Sequence, residues 1–130
     1  MPHKVLIVDD DLDALTLMQK TLEGEGYEVI KAEDGQKGLT LIAEAKPDVV
    51  ILDVMMPGLS GLDLLGTLRK HVAEPPPVIV FSALGDLEDM NKGLTAGAYR
   101  YLIKPVTRGK LLEAVKSAII FHTGSLRRKQ

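Results

Sequence analysis

The sequence predicts an α/β domain in which a five-stranded parallel sheet is doubly wound by helices, (βα)5, in strand–helix order from end to end. Two observations predict it. Short runs of Val, Ile and Leu without polar alternation, the pattern of strands buried on both faces, alternate with stretches whose apolar residues recur at helical spacing. Charged residues then collect at the carboxyl ends of those runs: Asp9 and Asp10, Asp53, and Lys104. In a parallel sheet with right-handed crossovers these ends lie side by side, and the crevice beyond them is where ligands bind.

Taken in order, the first strand is Lys4 to Val8. Leu12, Leu15, Met18 and Leu22 mark the first helix, with Asp11 as N-cap and Gly24 or Gly26 as its stop. Tyr27 to Lys31 alternates more and reads as a strand nearer an edge. Leu39, Ile42 and Ala43 mark a second helix after Gly35, and Val49 to Leu52 a third strand. A third helix carries Leu64, Leu65, Leu68 and Val72, entered after Pro57, Ser60 and Gly61. Pro75-Pro76-Pro77 is a stiff connector into the fourth strand, Val78 to Phe81. Leu87, Met90 and Leu94 mark a fourth helix, capped by Asp86 and ended near Gly97. The fifth strand is Tyr99 to Ile103, and Leu111, Leu112, Val115, Ala118 and Ile119 mark the longest helix, starting near Thr107.

At 130 residues the chain is expected to form one domain over 1–122, followed by a short basic tail, 123–130, that holds Arg127, Arg128 and Lys129. A domain of this size buries roughly 65–70% of its unfolded surface and folds without disulfides. The absence of Cys fits a cytoplasmic location. A formal charge of −2 and 4% aromatic residues argue against direct nucleic-acid binding. No segment approaches the ~18 apolar residues of a membrane span, and the amino terminus lacks a signal-peptide pattern, so no membrane contact is expected.

Converging carboxylates repel unless a cation joins them. Asp11 alone suffices to cap the first helix, which leaves Asp9 and Asp10 for a hard cation with oxygen ligands, Mg²⁺ or in its place Mn²⁺. A calcium loop starting at Asp9 fails, because Ala14 stands where Gly is needed and Lys20 where Glu is needed. Asp53 either starts a turn or attacks phosphorus to form an acyl phosphate, a step that needs a metal and an opposing cation such as Lys104. Ser82 is a turn cap or a donor to a phosphoryl oxygen, with small Ala83 leaving room. Lys104 precedes Pro105, and the bond between them is expected to be cis. Tyr101 is either packing or a movable reporter, on the face of Ile103 and opposite Leu102 and Lys104. His3, His71 and His122 are scattered and give no metal or nucleophile pair.

With these residues in place, the chain resembles the receiver domain of a two-component response regulator, with its flavodoxin-like fold. The resemblance runs from Val5 to about Ala118 and rests on Val-Asp-Asp-Asp at 8–11, Asp-Val-Val-Ile-Leu-Asp-Val-Met-Met-Pro-Gly at 48–58, Gly61-Leu62-Asp63, Phe-Ser-Ala at 81–83, Gly-Leu-Thr-Ala-Gly-Ala at 93–98, and Lys104-Pro105. It implies that Asp53 is the phospho-acceptor. It further implies that Asp10 and Asp53 bind Mg²⁺ directly, Asp9 through water, and Met55 through its main-chain carbonyl. Ser82 and Lys104 would contact the phosphoryl group, and Tyr101 would be an aromatic switch coupled to Ser82. Phosphate would come from a phosphohistidine on a sensor histidine kinase or a histidine phosphotransfer protein. The switched face would be that of the fourth helix, fifth strand and fifth helix, used for an output protein or for phosphorylation-dependent dimerisation of an otherwise monomeric chain. Ile119 leaves no room for an output domain within this sequence, so the chain is expected to be a stand-alone regulator or one piece of a longer protein.

Other readings explain fewer of these residues. A haloacid-dehalogenase-like phosphatase would place its nucleophile at Asp9 and leave Asp53 and Lys104 without a task. A receiver-shaped module that is never phosphorylated would not need the full set. A dinucleotide or flavin site lacks the Gly-rich turn after the first strand. The chain is therefore expected to be a switch and not a turnover enzyme. Two departures from the family stand out. Tyr99 and Arg100 precede Tyr101 where small or acidic residues are common, which alters the presumed output face. Met55 and Leu84, two positions after Asp53 and Ser82, are apolar where some members carry polar groups that orient water. Slow spontaneous dephosphorylation follows, read from decay of the phosphorylated protein in Mg²⁺. A lifetime of seconds that lengthens when either residue is enlarged would overturn the argument.

Overall fold

The computed structural model describes residues 2–53, 61–83, 87–95 and 97–128. Within them the elements run β1 (Lys4–Val8), α1 (Leu12–Glu23), β2 (Glu28–Ala32), α2 (Gly35–Ala45), β3 (Val49–Asp53), α3 (Gly61–His71), β4 (Val78–Ser82), α4 (Leu87–Thr95), β5 (Arg100–Ile103) and α5 (Arg108–Arg128). All five strands are parallel, in the order β2-β1-β3-β4-β5. The chain leaves β1 toward one edge and returns at β3 on its other side, so β1 and β3 flank the switch point at which such sheets open a crevice.

Period-two alternation divides the core in two. Val5, Ile7, Val49, Ile51, Ile79, Phe81 and Leu102 meet Leu15, Met18 and Leu22 of α1 and Leu111, Val115 and Ala118 of α5 on one side. Leu6, Val8, Val50, Leu52, Val78, Val80 and Tyr101 meet Ile42 of α2 and Leu64, Leu65 and Leu68 of α3 on the other. Each face of the sheet is thus sealed by helices, which is why the strand sequences show no polar alternation.

Local sequence explains the helix ends. The Asp11 carboxylate accepts from the backbone N–H groups of Asp13 and Ala14, and Asp34 caps α2 by accepting from Lys37. Helix α4 ends in a Schellman arrangement: Gly97, at φ +115°, donates to Leu94, and Ala98 donates to Gly93. Arg69 at the end of α3 adds a donor to the Thr95 carbonyl at 3.1 Å. Asp86, Pro57 and Ser60, expected to open α4 and α3, lie outside the described residues.

Several expectations are corrected. Strand β5 is an edge strand like β2, with only Tyr101 and Leu102 buried; α4 and α5 cover those two residues and leave the ends partly open. Leu12, at the start of α1, is 59% exposed. Leu94 is also exposed. Helix α2 ends on Lys46 at φ 50°, a left-handed position with no glycine to announce it. Helix α5 runs on to Arg128, into the segment 123–130. Tyr99 turns into the molecule: its hydroxyl lies 2.7 Å from Ser117 Oγ and its ring packs on Phe121, so it fastens the start of β5 to α5.

Ile51 sits in the middle of the central strand at 1% exposure. Ile51→Ala is expected to lower the unfolding free energy by about 3–4 kcal/mol through lost burial and a residual cavity. Leu17→Ala, at a position 68% exposed on α1, is expected to change it by less than about 0.5 kcal/mol. Urea unfolding of the two variants checks the contrast.

Candidate functional site

Register brings the charged residues together. Val8 pairs with Leu52, so Asp9 follows directly beside Asp53. Asp53 in turn pairs with Phe81, and Ser82 with Ile103. The backbone N–H of Lys104 donates to the Ser82 carbonyl at 2.8 Å, which extends the β4–β5 pairing by one residue and fixes where the lysine side chain starts. The Lys104–Pro105 peptide bond is cis, as expected.

Alternation then sets direction. Asp9, Asp53 and Lys104 continue the series Ile7, Ile51, Leu102 and lean over the α1–α5 side of the edge. Ser82 belongs to the opposite series with Val80, and Tyr101 lies beside Val80 on that same α3–α4 side. Five of the seven predicted site residues therefore lie around one corner of the sheet edge, with Ser82 at the turn between the two faces. Asp10 joins them: carboxylate oxygens of Asp9, Asp10 and Asp53 lie within 4.8 Å of one another. Met55, and Leu84 with it, lies outside the described residues.

The electrostatics are uneven. Lys104 Nζ is 3.2 Å from Asp53 Oδ2 and 3.9 Å from Asp9 Oδ2. Asp9 is 1% exposed; its Oδ1 accepts from the Asp11 N–H, while its buried Oδ2 has no hydrogen-bond partner among the described residues. Burial, together with the neighbouring Asp53 charge, raises the Asp9 carboxyl from 3.8 to about 6, against the opposing pull of the Asp11 N–H and Lys104. Asp10, by contrast, is exposed. The repulsion expected among the converging carboxylates is felt most by buried Asp9, from Asp53 on the neighbouring strand. Spacing along a chain does not reveal which carboxylate the helices will cover.

An acceptor sealed from solvent with no donor among the described residues, beside two further carboxylates, is a ligand set that suits a hard divalent cation. The residues present fit such an ion. No helix of the described residues is long and apolar enough to cross a membrane.

The model of the response regulator receiver domain matches residues 5–116. The chain is 39% identical over 119 residues to the response regulator MprA of Mycolicibacterium vanbaalenii, covering 92% of this chain and 51% of that protein. It is 34% identical over 119 residues to the DNA-binding response regulator MtrA of Mycobacterium leprae, covering 92% and 52%. The solved CheY-like receiver domain protein of Methanospirillum hungatei superposes with a TM-score of 0.88 at 31% identity, covering 96% of this chain and 99% of that one. The chain spans about half the length of these curated relatives. Because one of them carries DNA-binding in its name, the expectation of no nucleic-acid contact draws no support from the relatives. Sheet order, the acidic cluster and these similarities converge on one conclusion: the chain belongs to the receiver-domain family of two-component response regulators.

Proposed function

We propose that this receiver accepts a phosphoryl group on Asp53 from a phosphohistidine, in a Mg²⁺-dependent reaction that it performs only on itself. The observation that carries the reading is the buried Asp9 Oδ2, which has no hydrogen-bond donor among the described residues and lies 3.9 Å from Lys104 Nζ, in a cluster that also holds Asp10 and Asp53. Such a site is incomplete with lysine alone. Asp9, Asp10 and Asp53 would hold the ion, together with the Met55 carbonyl as the family resemblance implies. When bound, the ion offsets the negative charge of the incoming phosphoryl oxygens.

Asp53 supplies the nucleophile: a carboxylate oxygen attacks phosphorus, the P–O bond forms, and the P–N bond to the donor imidazole breaks. The imidazole nitrogen leaves with the bonding electron pair and is protonated by solvent. Lys104, already 3.2 Å from Asp53, turns its ammonium to a phosphoryl oxygen. Ser82 donates its hydroxyl to another. Drawn toward the edge, Ser82 makes space on the α3–α4 side into which Tyr101 moves, and the surface formed by α4, β5 and α5 changes. Ile103 at 40% exposure, Leu94, and the Arg100–Glu113 pair at 3.5 Å lie on that surface, which an output protein or a second copy of the chain would read.

Two measurements test this reading. With acetyl phosphate and Mg²⁺, the wild type is expected to gain one acid-stable, base-labile phosphate, and Asp53→Asn none; multiple turnover of a phosphomonoester would instead support a phosphatase. The second concerns Asp9. A carboxyl that is raised in the folded state binds its proton more tightly there than when unfolded, so its contribution to stability falls as pH rises from about 4 through about 6. At neutral pH the cost is roughly 3 kcal/mol. Without divalent ions, Asp9→Asn is expected to stabilise the protein at pH 7.5 but not at pH 4. Mg²⁺ is expected to raise the wild-type melting temperature and leave that of Asp9→Asn nearly unchanged. Thermal melts with EDTA and with Mg²⁺ decide both.

A further inference from the structure

The α1–α5 side of the sheet is not fully closed. Between α1 and the segment that leads into α5 lies a groove of about 700 Å³. Its apolar walls include Ala14, Leu17 and Met18 of α1, Phe81 of β4, Val106 and Leu111. Met18, Phe81 and Leu111 belong to the buried core, so the groove opens onto the core itself. Leu17 is exposed, an apolar side chain in the wall that packing within the domain does not cover. A volume of this size, mostly apolar and with a few polar groups, is that of small-ligand sites.

The polar side chains in the wall decide which ligand. Asp11 is taken up as the cap of α1, where its Oδ1 accepts from the N–H groups of Asp13 and Ala14. The Thr21 hydroxyl donates to the Leu17 carbonyl at 3.0 Å. The Lys104 ammonium is held by Asp53 and Asp9. Arg108 differs: among the described residues only its Nη2 is engaged, by Glu25 Oε1 at 3.3 Å. Arg108 stands in the first turn of α5 and Glu25 follows α1, so this pair straps the two walls together. With both side chains about half exposed or more, the strap is weak and exchanges readily. A guanidinium offers paired N–H donors in a plane, which match a carboxylate in bidentate fashion. An apolar floor beside one cation with donors to spare is complementary to an amphipathic anion.

We propose that this groove binds a small organic carboxylate with an apolar body. The head pairs with Arg108 in place of Glu25, and the body covers Leu17, Met18, Phe81 and Leu111. The exchange keeps Arg108 paired, while the apolar walls lose their contact with water, which supplies the gain on binding. The site lies beside the acidic edge but uses none of the carboxylates of Asp9, Asp10 and Asp53. It therefore stands whether or not Asp53 accepts phosphate.

The test is a titration of the protein in EDTA with 2-naphthoate and with decanoate, followed by amide and methyl resonances. Saturable shifts are expected at Ala14, Leu17, Met18, Val106 and Leu111, and the tighter probe shows whether the body is aromatic or aliphatic. The neutral analogue 2-naphthalenemethanol is expected to bind roughly tenfold more weakly than 2-naphthoate, and Arg108→Gln to weaken 2-naphthoate by a similar factor. Glu25→Gln frees Arg108 and is expected to tighten binding about twofold. Leu17→Glu, at an exposed position, is expected to weaken binding roughly tenfold or more and leave the melting temperature unchanged. No saturable binding of either carboxylate, shifts that map elsewhere, equal affinity for the neutral analogue, or weaker binding by Glu25→Gln would overturn the proposal. So would self-association that Leu17→Glu abolishes while neither carboxylate binds, since a second copy of the chain then fills the groove. Should Leu17→Glu fold poorly, Arg108→Gln and Glu25→Gln decide, because loss of folding cannot move affinity in opposite directions.

Discussion

Everything in this domain is arranged around two carboxylates that a parallel sheet forces side by side. Asp9 and Asp53 end neighbouring strands, and the pairing of Val8 with Leu52 leaves no register in which they avoid each other. A slip of β1 by one residue would relieve the repulsion but turn Ile7 out of one core and Leu6 out of the other. Two layers of buried aliphatic side chains thus hold in place a charge arrangement that opposes folding. Lys104 offsets part of that cost, and its own position is set by a backbone bond to Ser82. The remainder, concentrated on Asp9 Oδ2, is the reason the edge favours a cation.

The same alternation that builds the core separates the chemistry from its readout. Asp9, Asp53 and Lys104 belong to the series that faces α1 and α5, while Ser82 and Tyr101 belong to the series that faces α3 and α4. A charge placed on the first side is felt on the second only where the sheet ends, because elsewhere the strands and their packed side chains stand between. Ser82 is at that end. Under the proposed function, this residue of the second series, adjacent to the first, would connect a local electrostatic event to a surface.

Around this corner the structure distributes stiffness unevenly. The end of α4 is closed by a Schellman cap and by Arg69 from α3, and the start of β5 is fastened to α5 through Tyr99, Ser117 and Phe121. Between these two fixed points lies Tyr101, on an edge strand and over a glycine. Under the proposed function, a stiff frame around this ring would favour discrete arrangements where a softer frame would deform gradually.

The sequence by itself determined the elements, their order and the charged residues that gather at the sheet edge. Runs such as Val49 to Leu52 have no polar alternation because both faces are covered, and that periodicity is a local property that can be read residue by residue. Asp9, Asp10, Asp53 and Lys104 were visible because parallel strands share one direction, so strand ends in sequence are neighbours in space. Placement across the sheet was not visible. The apolar run in β5 resembled a central strand yet forms an edge, since burial by helices and burial by strands leave the same signature. Nor could spacing show that Asp9 is sealed while Asp10 is exposed, that Tyr99 turns inward, or that Gly93 lies under Tyr101. Those facts depend on which helix covers which residue and how closely. Close contact between segments distant in the chain arises only when the layers pack, so tertiary structure alone decided them.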